Sequence, residues 1–302
     1  MPSRLQNSAP LAFTILLVSI ASVGCGGVGV GAGSGPGVVN PPPSSPHVVL
    51  VVEENHSYSQ VIGNTSMPYL NGLASQYGLA TQYYANVHPS IGNYFMLTTG
   101  QIETTDDAFQ GTVTDDNIVR ELVKANKTWH SYAESLPSPG YVGDDVYPYL
   151  RHHNPFAYFS DVIGTSQANN IVPFSDFSAD LASGNLADFS FVVPNALNDA
   201  HDGTLATADQ WLNTNLDPLI KSSNFQNGGL LIIVFDESVT TDWAHFGGHV
   251  AMVVIGPQVK TGYQSTTLYQ HQSTLRLILS TLGVNSFPGA SASAPDMGEF
   301  FK

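Results

Sequence analysis

Apolar residues along the chain fall into short unbroken runs that end in polar pairs, and these runs alternate with segments of helical spacing. His47 to Glu53 (HVVLVVE) carries no polar position between its ends, the pattern of a central strand buried on both faces of a parallel sheet. A helix is expected over Pro68 to Tyr77, a short strand over Leu79 to Tyr84, and a second helix over Asn93 to Thr99, stopped by Gly100. Asp116 to Asn126 has an acidic start and amphipathic spacing and predicts a helix; Trp129 to Ala133 predicts a strand. The clearest later strands are Asp188 to Pro194, Leu230 to Asp236 and Val250 to Ile255, and Gln272 to Leu282 predicts a closing helix. Strands and helices in this alternation define an α/β class built of βαβ units. From Pro137 to Asp180, Pro, Gly, Tyr and Asn are frequent and periodicity is poor, so a long insertion packed over the sheet edge is expected.

Ahead of the first strand the pattern changes. The first ten residues hold Arg4 and no acid, Leu11 to Val23 is apolar, and Gly24-Cys25 follows. The run is short for a membrane span and has the layout of a bacterial secretory signal over residues 1–25. The sole cysteine, Cys25, stands where a lipoprotein signal is cleaved and the new N-terminus lipidated, although Ser22 replaces the usual large aliphatic residue. An exported protein is expected, either tethered to a membrane through Cys25 or secreted. Gly26 to Pro46 is Gly/Pro-rich and uncharged and reads as a flexible tether, which leaves residues 47–302 as the folded domain. With Cys25 spoken for, no disulfide and no thiol nucleophile are available.

The chain has 302 residues, 42% of them hydrophobic, enough for one large core. Lys and Arg number 9 against 24 Asp and Glu, a formal charge of −15, so nucleic-acid binding is excluded and contact with a membrane is expected only through the anchor. No internal repeat and no Gly-rich loop between a strand and a helix is present, which removes support from nucleotide-binding folds.

Glu54-Asn55 follows the first strand directly, and open α/β sheets collect ligands outside the carboxyl ends of their strands. Alone, these two residues read equally as a surface carboxylate and a turn residue. A second buried strand, however, ends in Asp236-Glu237, and two acidic pairs delivered to one sheet edge repel each other unless a cation joins them. Ser90 enters a short helix at His88-Pro-Ser-Ile-Gly-Asn; at a helix N-terminus it is either an ordinary capping serine or a hydroxyl placed among backbone N–H groups that bind phosphate.

Six blocks in order, EENHSY (53–58), HPSIGNYFMLTTG (88–100), RHHNPF (151–156), NDAHDG (198–203), VFDE (234–237) and GGHVAMVVIGP (247–257), resemble the bacterial phosphoesterase family that groups acid phosphatases with phospholipase C enzymes, within the alkaline-phosphatase-like superfamily. The resemblance implies an alkaline-phosphatase-like sandwich, a mostly parallel central sheet with helices on both faces. It further implies Ser90 as the nucleophile and a metal ligand, Asn93 as a holder of the phosphoryl oxygens, and Glu54, Asn55, Asp236, Glu237 and His249 as metal ligands. His201, Asp202 and His153 are implied to contact phosphate, a second metal or the leaving group, with Asp202 the metal-side member of that motif. The superfamily more often has Asp-His where this chain has Asp236-Glu237, which favours a hard divalent cation such as magnesium, manganese, calcium or ferrous iron over a zinc pair. Ser90-Ile-Gly-Asn lacks the Pro and Arg of sulfatase relatives.

The expected function is thus metal-dependent hydrolysis of phosphate esters, acid phosphatase-like, through a phosphorylated Ser90. The alternatives are a phospholipase C or phosphodiesterase, and a surface-binding lipoprotein with a dead site. His271, near the start of the last helix, is expected to be a helix cap.

Overall fold

A computed structural model describes residues 41–302. The signal sequence, Cys25 and the tether up to residue 40 lie outside the described residues. The expected tether ends earlier than its composition suggests. Ser45 is buried, its N–H donates to the Thr281 carbonyl at 2.8 Å and its hydroxyl to the Gly228 carbonyl at 2.7 Å, so the chain is already fastened to the domain before His47.

In chain order the strands are β1 (Val48–Glu53), β2 (Gly78–Ala80), β3 (Tyr83–Tyr84), β4 (Trp129–Ala133), β5 (Ile171–Pro173), β6 (Phe189–Val193), β7 (Leu230–Phe235), β8 (Met252–Ile255), β9 (Tyr263–Ser265) and β10 (Tyr269–Gln270). The helices are α1 (Tyr58–Val61), α2 (Pro68–Gln76), α3 (Ser90–Thr99), α4 (Ile118–Lys124), α5 (Ser175–Ser183), α6 (Leu205–Lys221), α7 (Ser223–Gln226) and α8 (His271–Thr281). An 8-stranded sheet runs β5-β4-β6-β1-β7-β8-β2-β9, and β3 pairs with β10 in a small second sheet. Strands β5, β4, β6, β1 and β7 are parallel to one another, β8 is antiparallel to both β7 and β2, and β9 is parallel to β2. This is a mixed α/β fold with a large, mostly parallel sheet.

The sequence explains the centre of the sheet directly. Every residue of β1 and of β7 is buried although successive side chains point to opposite faces, so both faces of the sheet are covered. Helix α2 packs with α6, and α3 packs with α8. All ten residues of α3 are buried, which makes it a core helix with no solvent face; it ends at Gly100, whose φ of 70° supplies the left-handed cap. Among the described residues no helix is long and apolar enough to cross a membrane.

Three expectations are corrected, and one helix was not expected. The single strand over Leu79–Tyr84 is two strands in two different sheets, parted at Thr81-Gln82. Helix α3 begins at Ser90 and not at Asn93, because Pro89 sits at the N-cap and its ring needs no N–H partner. The insertion at 137–180 does not merely cover the sheet edge: its segment Ile171–Pro173 is the edge strand β5. Helix α6, which lies over none of the predicted elements, carries Pro218 inside it and many Thr, Asn and Asp residues, which conceal its apolar stripe of Ala208, Leu212, Leu216 and Leu219.

Candidate active site

Parallel β1 and β7 lie side by side in register from Val48↔Leu230 to Glu53↔Phe235, so the residues that follow them, Glu54-Asn55 and Asp236-Glu237, must emerge together. Asn55 turns through a left-handed φ of 55°, a conformation Asn tolerates, and its N–H donates to Asp236 Oδ1 at 3.2 Å. Ser90, the first residue of α3, points its hydroxyl at the same spot: Oγ donates to Glu54 Oε2 at 3.1 Å and lies 3.5 Å from Asn55 Oδ1. The other Glu54 oxygen, Oε1, accepts from the Tyr94 hydroxyl one turn along α3. The structure thus brings Glu54, Asn55, Ser90, Asp236 and Glu237 into one cluster.

This cluster is buried and acidic. Burial first, and then the charge of Asp236, holds the Glu54 carboxyl well above the usual range. Burial and then Glu237 do the same to Asp236, and burial raises Glu237. No Lys or Arg among the described residues makes an ion pair with any of the three; Glu237 meets His88, and Glu54 meets His153. Asp236 Oδ2 is buried without a hydrogen-bond partner. Three converging carboxylates, an amide oxygen and a hydroxyl, with an orphaned acceptor among them, fit a hard divalent cation.

A second layer holds these groups. His88 Nδ1 lies 2.9 Å from Glu237 Oε2 and its Nε2 lies 3.0 Å from the Asp242 carbonyl. The Glu237 contact, opposed by burial, raises the His88 pKa. His153 is stacked on Tyr94 at 5.1 Å and stands between two carboxylates, Nε2 3.3 Å from Glu54 Oε1 and Nδ1 3.3 Å from Asp199 Oδ2. Burial, followed by the charges of His152 and His201, pushes His153 well below its ordinary value and keeps it neutral. Asp199, almost wholly buried, is pushed up to about 7 by burial. Ligand atoms of Glu54, His153 and Asp199 lie within 4.8 Å of one another, a buried group that can hold a metal ion. His153 Nε2 and Asp199 Oδ2 are both buried without a hydrogen-bond partner, orphaned atoms that fit a cation held among Glu54, His153 and Asp199.

His201 stands nearer the surface. Its N–H donates to Asp199 Oδ1 at 2.8 Å and its Nδ1 meets Asp202 Oδ1 at 2.9 Å, and its ring is 5.6 Å from that of His153. The Asp202 carboxylate is exposed, is depressed by the His201 contact, and serves as that histidine's partner outside the acidic cluster.

Other sequence-predicted residues fall elsewhere. Asn93 is fully buried with Oδ1 accepting from the N–H groups of Asn86 and Val87 and Nδ2 donating to the Val87 carbonyl, so it clamps the 86–87 turn and does not face the open site. The His249 ring is sandwiched between Tyr58 at 4.4 Å and Tyr84 at 4.8 Å with Nε2 on the Thr81 carbonyl, and it is not part of the carboxylate cluster. His153, with 1% of its side chain exposed, packs between Glu54 and the ring of Tyr94. His271 is no cap: it is the first residue of α8, buried, with Nε2 2.6 Å from the Asp236 carbonyl and Nδ1 3.1 Å from the Tyr83 hydroxyl. The Ile91 N–H at the start of α3 is taken by Asp107 Oδ1 at 3.1 Å. Sequence reasoning missed His88, Tyr94 and Asp199, all three of which lie inside motifs singled out for their neighbours.

A serine at the head of a buried helix thus faces carboxylates at the ends of parallel strands. Solved structures share the fold of this chain: a protein in the alkaline phosphatase superfamily from Vibrio parahaemolyticus superposes with a TM-score of 0.61 at 16% identity, covering 85% of this chain and 72% of that one. The lipoteichoic acid synthase LtaP from Listeria monocytogenes does so at 0.58 and 12%, covering 80% and 73%. The sequence profile of the Phosphoesterase family matches residues 64–285, and the chain belongs to that family. It is 34% identical over 263 residues to a phosphatidylinositol-3-phosphatase from Mycobacterium tuberculosis, covering 86% of this chain and 84% of that protein. It is 31% identical over 246 residues to an acid phosphatase from Aspergillus fumigatus, covering 77% of this chain but only 54% of the longer relative. The chain is therefore a hydrolase acting on phosphoric esters.

Proposed function

We propose that this protein is an exported, divalent-metal-dependent phosphomonoesterase that works through a phosphorylated Ser90. The observation that carries the reading is the Ser90 hydroxyl, placed by the first turn of α3 against Glu54 inside a buried cluster of three carboxylates with no Lys or Arg partner. Glu54, Asn55, Asp236 and Glu237 would hold the cation, which when bound supplies positive charge to the phosphoryl oxygens and makes the serine hydroxyl more acidic.

Ser90 Oγ attacks phosphorus while its proton passes to Glu54 Oε2, the acceptor it already faces. The bond from phosphorus to the ester oxygen breaks, the electron pair leaves with that oxygen, and protonated His201 gives it a proton. Water then attacks the phosphoserine and yields its proton to His201; the bond from phosphorus to Oγ breaks and Glu54 returns the proton to Ser90. His201 suits this role because its ring is partly exposed and its Nδ1 is held by Asp202, leaving Nε2 for the alcohol.

The matched relatives carry phosphatase names, which supports a monoester over a lipid diester. The complete set of site carboxylates together with Ser90 argues against a binding lipoprotein with a dead site. Export rests on the leader-like residues 1–25, and attachment to a membrane on Cys25.

The test is hydrolysis of p-nitrophenyl phosphate and, in parallel, of a choline phosphodiester, with and without chelator, by the purified protein and by Ser90→Ala. Chelator-sensitive monoester hydrolysis that Ser90→Ala lowers by at least about 10³-fold, with phosphate trapped on Ser90 at acidic quench, supports the reading. Activity indifferent to both chelator and substitution sinks it, and activity mainly on the diester moves it to phospholipase C.

A further inference from the structure

Two exposed aromatic rings stand beside the groups that flank the acidic cluster, Trp243 against His88 and Tyr147 against Asp202, and neither is used by the chemistry above. On the His88 side, Trp243 is 62% exposed; its ring meets the edge of His88 at 4.8 Å, and its Nε1 donates to the Thr240 carbonyl at 2.9 Å. One turn on, Phe246 is 75% exposed and is held out by two successive non-glycine residues in left-handed backbone, His245 at φ 52° and Phe246 itself at φ 77°. Strain of this kind persists where the surrounding structure enforces it, and it gathers at ligand clamps. On the His201 side, Tyr147 is 60% exposed and its phenol leans on Asp202, the carboxylate that holds His201.

The polar groups between these rings are carboxylates and the histidines they hold. Asp202 borders the opening beside His201, Glu237 lies beneath it on His88, and Arg151, the cationic residue closest in sequence to His153, is turned inward to Gln110 and the Ala157 carbonyl. No Lys or Arg among the described residues pairs with these carboxylates, and the two histidines there, His88 and His201, are each already held by one.

We infer that Trp243 and Tyr147 form an aromatic gate that grips the leaving alcohol, so that the preferred substrates are phosphomonoesters of apolar, uncharged alcohols, and esters with further anionic groups are turned away. The inference rests on the monoesterase reading and names the substrate class of that site. Flat apolar groups gain contact area between two rings already half desolvated by their neighbours, whereas a carboxylate or second phosphate meets the acidic rim.

The test uses three esters of alkyl alcohols, so that leaving-group reactivity is comparable: benzyl phosphate, glycerol 2-phosphate and 2-phosphoglycerate, assayed with the metal-loaded protein. The expected order of kcat/KM is benzyl, then glycerol, then phosphoglycerate. Trp243→Ala and Tyr147→Ala, on separate loops, should each lower the benzyl-to-glycerol ratio about tenfold, mainly through KM, and Tyr147→Phe should preserve it. A wild-type protein without preference for the benzyl ester, or variants that lower all three esters equally, overturns the gate while leaving the monoesterase reading intact. Failure of the wild type to hydrolyse any of the three removes the monoesterase reading and the gate with it.

Discussion

His88 presents both ring nitrogens to acceptors, Nδ1 to Glu237 Oε2 at 2.9 Å and Nε2 to the Asp242 carbonyl at 3.0 Å, so one imidazole ties the acidic cluster to the loop that carries Trp243. A neutral ring can donate only once, and the arrangement is fully satisfied only by the imidazolium, which agrees with the upward shift that Glu237 causes. Partners of this kind orient the groups that bind a metal. His88→Ala is expected to weaken activating-metal affinity and kcat/KM by about 10- to 100-fold without abolishing hydrolysis, measured by titrating activity with metal. Unchanged metal dependence would show that Glu237 needs no such support.

His201→Ala separates proton donation from attack. Esters of alkyl alcohols need a proton on departure and those of nitrophenol do not, so alkyl phosphate hydrolysis should fall by roughly 10²- to 10³-fold and nitrophenyl phosphate hydrolysis far less. Equal losses would place the donor elsewhere. This is the opposite substrate bias to that expected of Trp243→Ala.

Gly248 sits at φ 82°, and a Cβ there would lie 1.7 Å from Ser238 Oγ, one residue beyond Glu237. Gly248→Ala should cost about 3 kcal/mol of unfolding free energy, read from denaturant titration, since both the backbone and the contact resist it. A loss under 1 kcal/mol would mean that the 238–248 loop can rearrange freely.

Asp188 fastens the start of β4 to the start of β6: Oδ2 accepts from the N–H and the hydroxyl of Thr128, both at 2.8 Å, and Oδ1 meets Lys127 Nζ at 3.2 Å. Burial raises its pKa, but the Thr128 and Lys127 contacts outweigh burial and the net shift is downward from 3.8. A depressed carboxylate contributes stability above its unfolded value and loses it as pH falls through the folded value. Asp188→Asn should therefore lower the melting temperature at pH 7, and the gap from wild type should close as pH falls below 3.8. Both partners of the Lys127–Asp188 pair are partly exposed and screened by solvent, so the effect at neutral pH is small, roughly 1 kcal/mol or less. A gap that persists at pH 2.5 would show that charge has no part in it.

Much of the fold was legible because β1 and β7 are unbroken apolar runs, and nothing but a strand covered on both faces accounts for them. The acidic pairs at their ends were legible for the same reason: parallel neighbours in register carry their next residues to one edge. Helix α6 was not, since Pro218 and a run of short polar residues mask a stripe that only packing against α2 makes sense of. Asn93 and His249 show the limit at the level of side chains. Rotamers depend on partners from distant segments, and Asn93 finds the 86–87 turn while His249 finds Tyr58 and Tyr84. Asp199 was hidden by adjacent Asp202 in one short motif; only burial tells the two apart.

The bond from His271 to the Asp236 carbonyl gives the enzyme a built-in order of assembly. The strand end that carries the acidic pair is braced by a side chain 35 positions further along, and Ser90 belongs to a helix that packs against the one His271 begins. A growing chain that has made Ser90 and even Asp236 still lacks this brace, so the site is completed only when the last helix folds back. Catalytic competence is thereby a property of the finished chain, and a product cut short before residue 271 would be inert for want of architecture even though every reacting group had been made.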